Sequence, residues 1–402
     1  MIATVVLEHR FDRTPDGSIW TRSQFPLAFW SRYLEVFDSV RVVARVRDLP
    51  APEAGAVRAD GEGVEFAAIT HYIGPSDYAR RARAVRREAR AAVDPRSAVI
   101  MRVGSHLAAL IEPMLRRRGQ PYAVEVIYDP YDMFAPGSMT HPTRPFFRWF
   151  FPRQLRRHCA HATAAAYVTE HALQRRYPAA PSAYSTYYSD VELSDDAIVG
   201  SPPSPAVDGP FRLVTVGAFD QLYKAPDALI DAVAACVQAG SDVTLTLVGD
   251  GLHRPELEAR AAAHGIGERV RFTGNLPSGA AVRAQLDSAH LFVLPSRQEG
   301  LPRALVEAMA RGLPCVGSTV GGIPELLPAE NLVPPGDVEA LAAKIREVLA
   351  DPERRARMSA ANLATARGYR ESELHDRRVA FYREVRRRTE AALGTVTPSS
   401  VP

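Results

Sequence analysis

The sequence has little lysine and cysteine and no long apolar run. Of its 49 basic residues only Lys224 and Lys344 are lysines, and the three cysteines, Cys159, Cys236 and Cys315, lie among small or apolar neighbours. Cysteines without metal-ligand spacing argue against a disulfide framework or a zinc site and favour buried thiols in a reducing compartment. The chain also lacks the ~20 consecutive apolar residues of a membrane helix and, in MIATVVLEHRF, the basic lead of a secretory signal. We therefore expect a cytoplasmic protein.

Several catalytic motifs are missing as well. There is no Asp-x-Asp pair and no tight group of histidines and carboxylates, so the sequence predicts neither metal dependence nor a bound cofactor. The absence of a GxSxG elbow and of a P-loop argues against a serine hydrolase and a P-loop kinase. With 402 residues, 46% of them hydrophobic and 24% charged, the chain can bury two cores of ordinary size, so two domains are expected.

Five short apolar runs in the first half are typical of buried parallel strands, since several are β-branched throughout. Helical patterns separate several of these runs, and this alternation is expected of a doubly wound sheet. The predicted strands are ATVVLEH (3–9), VRVVARV (40–46), AVIMRVG (98–104), YAVEVIYD (122–129) and AAAYVT (164–169).

A stretch rich in Pro, Ser and Gly predicts a linker at residues 194–210. It separates a first domain, 1–193, from a second, 211–370, in which strands again alternate with helices. A last basic helix is predicted at 371–388 and a disordered tail at 389–402. The strands predicted in the second domain are LVTVG (213–217), VTLTLVG (243–249), VRFTG (270–274), LFVLP (291–295) and PCVGS (314–318).

The most informative stretch is 295–327, PSRQEGLPRALVEAMARGLPCVGSTVGGIPELL. It begins as a strand ends and enters a helix near Pro302, a residue suited to a helix start. A glycine followed by the open N–H groups of a helix start suits a phosphate or pyrophosphate. Glu299, before the helix, can reach hydroxyls beyond the phosphates, and Glu307, two turns in, can accept from a diol such as a ribose. A nucleotide sugar has these parts in this order.

This stretch resembles the signature of glycosyltransferase family 4. The resemblance rests on the seven residues between Glu299 and Glu307, on EGLPRALVEAMA, and on the GLPCVGS and GGIPEL that follow. It implies a retaining enzyme of GT-B fold, with two Rossmann-like doubly wound domains facing across a cleft, the first for the acceptor and the second for a nucleotide diphosphate sugar. It also implies that the helix 371–388 crosses back to the first domain. An ordinary amphipathic helix with two solvated glutamates is the alternative.

The resemblance assigns roles to individual residues. Glu307 is expected to hold the ribose, Glu299 the sugar hydroxyls and Lys224 the diphosphate, with Lys224 and Glu299 as the catalytic pair. Further donor-binding residues are expected on strand-end loops, where a plain turn is the alternative, and at the helix start. These residues are Gly217, Gly249, Gly251, Asn275, Gly300, Leu301 and Arg303.

Two features depart from the family. Ala218 stands where members carry an arginine after the VG, and a single ammonium is a weaker diphosphate clamp than a pair of cations. Arg303 is either a replacement for that cation or a solvated arginine.

On the acceptor side RFDRTPDGSIWT replaces a glycine-rich loop, which leaves Gly17 as the similar feature, and EVIYDPYD puts Asp129 near an expected histidine. Asp129 either binds sugar hydroxyls or caps the following turn, and His106 is predicted to be structural.

Positive charge is concentrated in residues 80–160, which contain 16 arginines and 6 acidic residues. Arg80, Arg83, Arg87 and Arg90 fall on one predicted helix face. Further on, RPFFRWFFPRQLRRH interleaves aromatic residues with arginines. Such a segment either lies on an anionic membrane surface or turns its aromatics to the core, whereas nucleic acid is a poor candidate without a reading motif.

The sequence therefore predicts a cytoplasmic, metal-independent, retaining glycosyltransferase, with a possible peripheral position at the membrane. Its substrates would be a nucleotide sugar and a glycan, lipid-linked or small-molecule acceptor. A non-catalytic GT-B protein that binds a nucleotide sugar or serves as a scaffold is the alternative from another class. A phosphorylase or epimerase of the same architecture is a third hypothesis.

Overall fold

The structure is a computed structural model that describes residues 1–22, 24–135, 142–191, 193–203 and 209–395. Two largely parallel sheets with flanking helices make up the chain, which confirms the predicted α/β class. All ten predicted strands are present, and each contains at least three residues of its predicted run.

The first sheet contains nine strands. They are β1 (Ile2–Arg13), β2 (Ile19–Thr21), β3 (Ser39–Asp48), β4 (Val57–Arg58), β5 (Val64–Thr70), β6 (Ala98–Val103), β7 (Tyr122–Val126), β8 (Ala164–Tyr167) and β9 (Tyr184–Tyr187). Seven of them pair in parallel in the order β5–β3–β1–β6–β7–β8–β9, so their carboxyl ends share one edge. The chain reverses its direction of winding between β1 and β6, which makes this point the topological switch of a doubly wound sheet. Strands β2 and β4 extend the sheet in antiparallel fashion.

Helices cover both faces of the first sheet. They are α1 (Ser31–Leu34), α2 (Gly74–Ala91), α3 (His106–Arg118), α4 (Pro130–Met133), α5 (Arg144–His161) and α6 (Ala172–Arg176). Helices α2, α3 and α5 share one apolar core against the same face of the sheet. Local sequence defines α3 well, because Ser105 accepts a hydrogen bond from the N–H of Ala108 at its start and Gly119 ends it with φ of 64°.

The second sheet has six parallel strands in the order β12–β11–β10–β13–β14–β15. They are β10 (Phe211–Val216), β11 (Val243–Val248), β12 (Val270–Phe272), β13 (Leu291–Leu294), β14 (Cys315–Ser318) and β15 (Leu332–Val333). This order places a second topological switch between β10 and β13, where ligands of open α/β sheets bind. The flanking helices are α7 (Pro226–Gln238), α8 (Arg254–Ala263), α9 (Ala280–Asp287), α10 (Arg303–Ala310), α11 (Ile323–Leu326), α12 (Val338–Ala350) and α13 (Pro352–Arg367).

The last helix, α14 (Glu371–Thr395), packs against the first sheet. It closes a buried polar cluster around the carboxylate of Glu125, which is 2% exposed. That carboxylate accepts hydrogen bonds from the phenols of Tyr33 at 3.0 Å, Tyr188 at 2.7 Å and Tyr382 at 2.9 Å, and from Arg102 at 2.8 Å. A buried carboxylate needs such donors, because an unsatisfied one costs several kcal/mol.

The chain ends differ from the sequence expectation. Helix α14 continues to Thr395, so residues 389–395 are helical where a disordered tail was predicted. The rest of the predicted tail, 396–402, and part of the predicted linker, 204–208, lie outside the described residues. None of the helices within the described ranges combines the length and the apolar character needed to span a bilayer.

Candidate functional site

The candidate site lies at the topological switch of the second sheet. The loop after β10 carries Lys224, and the loop after β13 carries Glu299. These two strands are neighbours in the sheet although 75 residues separate the two side chains. The fold therefore brings the two predicted catalytic residues together.

Lys224 and Glu299 form a shielded ion pair. Lys224 Nζ donates to Glu299 Oε1 at 2.7 Å, and the side chains are 15% and 6% exposed. Ser296 Oγ donates to the same oxygen at 2.7 Å, so the carboxylate is fixed from two sides. Charges screened from water in this way interact more strongly than exposed ones.

The turn that presents Lys224 is held by Arg297, a residue that the sequence reading did not single out. Its guanidinium donates to Asp227 at 2.8 Å and to the carbonyl of Leu222 at 2.7 Å, and its N–H donates to the carbonyl of Tyr223 at 2.7 Å. The arginine thereby ties the β13 loop to the Lys224 turn. Its position two residues before Glu299 was visible in the sequence, but its partners were not.

Helix α10 follows Glu299 directly and forms the wall of a neighbouring cleft. Pro302, which has no side-chain acceptor, is its N-cap, so the first-turn N–H groups point toward the loop unobstructed by a capping side chain. Glu307 and Arg303, one turn apart on the helix, both line a cleft of about 300 Å³. Arg303 is exposed and makes no ion pair with any described residue.

A close backbone contact explains why the predicted residue at position 249 is a glycine. Gly249 has φ of 139°, and a Cβ there would lie 1.9 Å from the carbonyl oxygen of Gly217, so a larger residue would force the loops after β10 and β11 apart. Gly249 N–H also donates to the carbonyl of Gly274 at 3.1 Å, which joins the loop after β12 to the other two. Asn275, next in that loop, is exposed.

Two other predicted donor-binding residues, Gly251 and Leu301, pack against the protein itself. A Cβ on Gly251 would lie 2.3 Å from the backbone of Phe219, and Leu301 is 7% exposed. Ala218, where the resembled family has an arginine, is exposed on the loop after β10. In the part of the chain that the structure describes, His, Cys, Asp and Glu side chains do not gather in groups of three or more that could hold a metal ion.

The site is also where the two sheets meet. A Cβ on Gly300 would lie 2.8 Å from the carbonyl oxygen of Ile127, which follows β7. The carboxylate of Glu325, on α11, accepts from the N–H groups of Glu170 at 2.7 Å and His171 at 3.0 Å, and from that of Ala172, at the start of α6. A helix start favours a negative charge, so Glu325 links the two halves of the molecule beside the candidate site.

The predicted acceptor-side residues do not join this site. Gly17, with φ of 86°, lies in the exposed turn between β1 and β2, with nothing close to its Cβ position. Asp129 is 3% exposed and accepts from the N–H of Tyr131 at 2.8 Å, from Arg176 and from the Tyr177 hydroxyl. It is the N-cap of α4, which agrees with the capping alternative. His106 is hydrogen-bonded through Nδ1 to the Tyr72 hydroxyl at 2.8 Å.

Sequence comparison places this region among known proteins. The sequence profile of glycosyl transferases group 1 matches residues 210–351. Protein CapJ of Staphylococcus aureus is 24% identical over 349 residues, which are 86% of this chain and 86% of CapJ. The alpha-D-kanosaminyltransferase of Streptomyces kanamyceticus is 34% identical over 167 residues, which are 40% of this chain but only 43% of that enzyme.

Solved structures resemble the whole chain. Sucrose-phosphate synthase from Thermosynechococcus elongatus has a TM-score of 0.69 at 18% identity, covering 96% of this chain and 99% of that one. HepE from Anabaena, in complex with UDP and glucose, has a TM-score of 0.62 at 17% identity, covering 97% and 99%. The sheets, their switch points and these likenesses agree on one architecture. The chain has the GT-B fold, and its residues 210–351 match the profile of glycosyl transferases group 1.

Proposed function

We propose that this protein is a retaining, metal-independent glycosyltransferase of family 4 that uses a nucleoside diphosphate sugar. The observation that carries the proposal is the Lys224–Glu299 pair at the switch point, with Nζ and Oε1 2.7 Å apart, directly before the start of α10. The profile match over 210–351 and the named activity of the kanosaminyltransferase support the reaction class. The UDP in the HepE complex supports the donor class.

Each part of the site has a role in this reaction. The ammonium of Lys224 and the open N–H groups of α10 would take the diphosphate, and Glu299 would accept from sugar hydroxyls. Glu307, on the wall of the adjoining cleft, would accept from the ribose diol. Glu299 and Lys224 hold each other in position before the donor binds, so little reorganisation remains to be done at the time of reaction.

The bond changes follow from this placement. The bond between the anomeric carbon and the diphosphate oxygen breaks, and the negative charge that develops on that oxygen lies beside Lys224. The acceptor hydroxyl oxygen bonds to the anomeric carbon on the same face, and its proton passes to the departing diphosphate. Arg303, exposed beside Glu307 in the cleft wall, is the proposed second cation in place of the arginine missing at Ala218.

We also propose a cytoplasmic protein that docks on an anionic membrane surface. Arg80, Arg83, Arg87 and Arg90 are all exposed on α2. On α5, which packs against the same face of the sheet, Phe146 is 54% and Trp149 51% exposed. These aromatics therefore face outward, as the membrane alternative requires and the core-facing alternative does not.

The decisive experiment is a turnover assay with a panel of nucleotide sugars and of sugar, lipid-linked and small-molecule acceptors. Donor consumption that depends on an acceptor, persistence of activity in EDTA and a product with the donor's anomeric configuration, read by NMR, are expected. An inverted product or loss of activity in EDTA would contradict the mechanism. Binding of a nucleotide sugar without turnover over the whole panel would instead identify a scaffold, and donor consumption without any acceptor a phosphorylase or epimerase.

A further inference from the structure

A polar groove lies in the first half of the molecule, apart from the Lys224–Glu299 site. It has a volume of about 530 Å³ and lies where β1, β3 and β5 end, with Arg10, Arg22, Arg45, Arg47 and His71 in its wall. The carboxyl ends of these strands share an edge with that of β7, whose following residue, Ile127, meets the Gly300 loop. Strands lie roughly 5 Å apart, so the groove lies at the same edge of the sheet as Ile127, a few strands along.

The first strand is distorted at this place. The register of β1 against β3 shifts between Val6, which pairs with Val43, and Arg10, which pairs with Arg45. Strand β1 therefore uses four residues to cover the distance that β3 covers with two. The bulged residues include Glu8 and His9, which line the groove. Bulges of this kind re-aim side chains and occur preferentially next to functional sites.

The acidic groups of the groove are already engaged. Glu8 pairs with Arg45 at 3.0 Å and accepts from Ser105 Oγ at 3.0 Å and from the N–H of Leu107, at the start of α3, at 3.1 Å. It therefore occupies the anion position at that helix start. Asp12 accepts from Arg47 at 2.8 Å.

The basic groups are in excess. Glu53 is shared by Arg22 at 2.7 Å and Arg47 at 2.9 Å. Arg10 is exposed and has no ion-pair partner among the residues that the structure describes. Four guanidinium groups thus stand against three carboxylates, with the uncompensated one open to solvent in the groove.

Two histidines respond to this positive potential. Burial, followed by the nearby Arg10 and Arg45, lowers the pKa of His9 to about 4. Burial and then Arg45, Arg10 and Arg47 lower the pKa of His71. Both rings are neutral at pH 7 and remain able to donate one hydrogen bond without adding charge.

We propose that this groove binds a phosphate group of the acceptor, with Arg10 and His71 as its contact residues. This inference rests on the proposed glycosyltransferase function, and it names the class of acceptor as a phosphorylated alcohol or sugar. A guanidinium donates two hydrogen bonds to a phosphate in fixed geometry, and charge-assisted bonds of this type are the strongest available to a side chain. The phosphate belongs either to a free sugar phosphate or to a lipid with a phosphorylated polyol headgroup, since both carry free hydroxyls that can receive the sugar as well as a phosphate that the groove can hold.

The first test is calorimetric titration of the full chain with inorganic phosphate, at low ionic strength. Wild type is expected to bind, and Arg10→Gln and His71→Gln to bind about tenfold more weakly or worse, as expected for loss of a charge-assisted hydrogen bond. Arg117→Gln, which removes an exposed arginine on α3 in the same domain outside the groove, is the matched control and should bind as wild type does. Unchanged phosphate binding in both groove variants would overturn the proposal.

The second test separates this proposal from the reaction itself. Wild type and Arg10→Gln should bind a nucleoside diphosphate equally well, because the donor site is elsewhere. If the wild-type protein does not bind it, the proposed function is contradicted instead. With a donor that turns over, glucose 6-phosphate is compared with glucose as an acceptor, and phosphatidylinositol in detergent is compared with inositol. Preference for either phosphorylated compound, reduced about tenfold in Arg10→Gln, supports the proposal and tells the two sources apart. Equal use of glucose by both proteins, without phosphate preference, overturns it.

Discussion

The proposed donor would give Lys224 and Glu299 new hydrogen-bond partners while both side chains keep their positions. In the free protein the ammonium and the carboxylate neutralise each other at 2.7 Å. A bound diphosphate would compete for Lys224, and sugar hydroxyls would replace the ammonium as hydrogen-bond donors to Glu299. The donor thus exchanges partners with groups that are already in place, which keeps the cost of preparing the site low.

Replacing Lys224 by alanine should mainly slow the chemical step. Loss of one preorganised donor to a developing negative charge typically costs about 2.7–4 kcal/mol, or ~10²–10³ in kcat. Lys344→Ala is the matched control, because Lys344 is the only other lysine and pairs with exposed Glu347 on α12. Steady-state kinetics would check this, and an equal fall in kcat for both variants would contradict the assigned role.

Replacing Glu307 by alanine should weaken nucleotide binding instead. The proposed ribose hydrogen bonds exist in the ground state and the transition state alike, so their removal raises the dissociation constant. We expect the affinity for the free nucleoside diphosphate to fall by ~1.5–3 kcal/mol, measured by calorimetry. Glu339→Ala, an exposed helical glutamate on α12, is the control. Wild-type affinity in Glu307→Ala would show that the helix has been misassigned.

At the scale of elements, α11 and α6 connect the two halves of the chain. Glu325→Ala removes the carboxylate that accepts from three N–H groups of the first half. Without this link the two halves of the chain should separate more often. Small-angle X-ray scattering should then give a larger radius of gyration, and kcat/KM should fall. Glu330→Ala, exposed a few residues further along, should change neither quantity. An unaltered radius and kcat/KM in Glu325→Ala would show that the link is dispensable.

The strands that the sequence predicted differ physically from those it did not. Runs such as residues 98–103 are buried at every position, and their largely apolar sequence marks them although Arg102 interrupts it. Five strands were not predicted, β2, β4, β5, β9 and β15. All of them except β2 lie at sheet edges, and β9 is exposed or half-buried throughout. Alternating or polar edge sequence gives a weak signal, so these strands become evident only from their pairing.

Part of the candidate site was predictable for a similar reason. Glu299 and Glu307 belong to one loop and helix, so their spacing is written in the sequence. Three other features join distant parts of the chain: the ion pair of Glu299 with Lys224, the hydrogen bonds of Arg297 and those of Glu325. Local sequence does not show such partners. Arg10 and His71 escaped notice because a groove is formed by three strand ends, which only the sheet order brings together.

At the scale of the whole molecule, the exposed arginines of α2 should hold the protein on anionic lipid. Each arginine near such a surface contributes ~1 kcal/mol, so changing Arg80, Arg83, Arg87 and Arg90 together to glutamine should abolish co-sedimentation with anionic vesicles. The corresponding lysine variant, which keeps the charge, should still sediment at low salt, and high salt should release both it and wild type. A wild-type protein that stays in the supernatant even at low salt would contradict the docking proposal.

Stability should also fall in mild acid, because buried histidines resist protonation. Burial, with Arg157 and His161 adding to it, lowers the pKa of His158 to about 4, whereas the unfolded chain protonates near 6.5. Unfolding therefore takes up a proton as pH drops from about 6.5 to about 4, and the free energy of unfolding decreases across that window by about 3 kcal/mol from this residue. Urea unfolding at several pH values should show about one proton fewer taken up in His158→Leu, with His171→Leu, at an exposed position, as the control. The same pH dependence in both variants would contradict this origin.

The cluster around Glu125 has a consequence for biogenesis. Its phenols come from residues 33, 188 and 382, so the first half of the protein is incomplete until α14 has been translated. The second sheet and its helices, by contrast, are encoded without interruption from Phe211 to Arg367. On the ribosome, where domains generally fold in the order in which they emerge, this chain should complete its later-made half first. The half that is synthesised earliest then reaches its native state last, once α14 has been made.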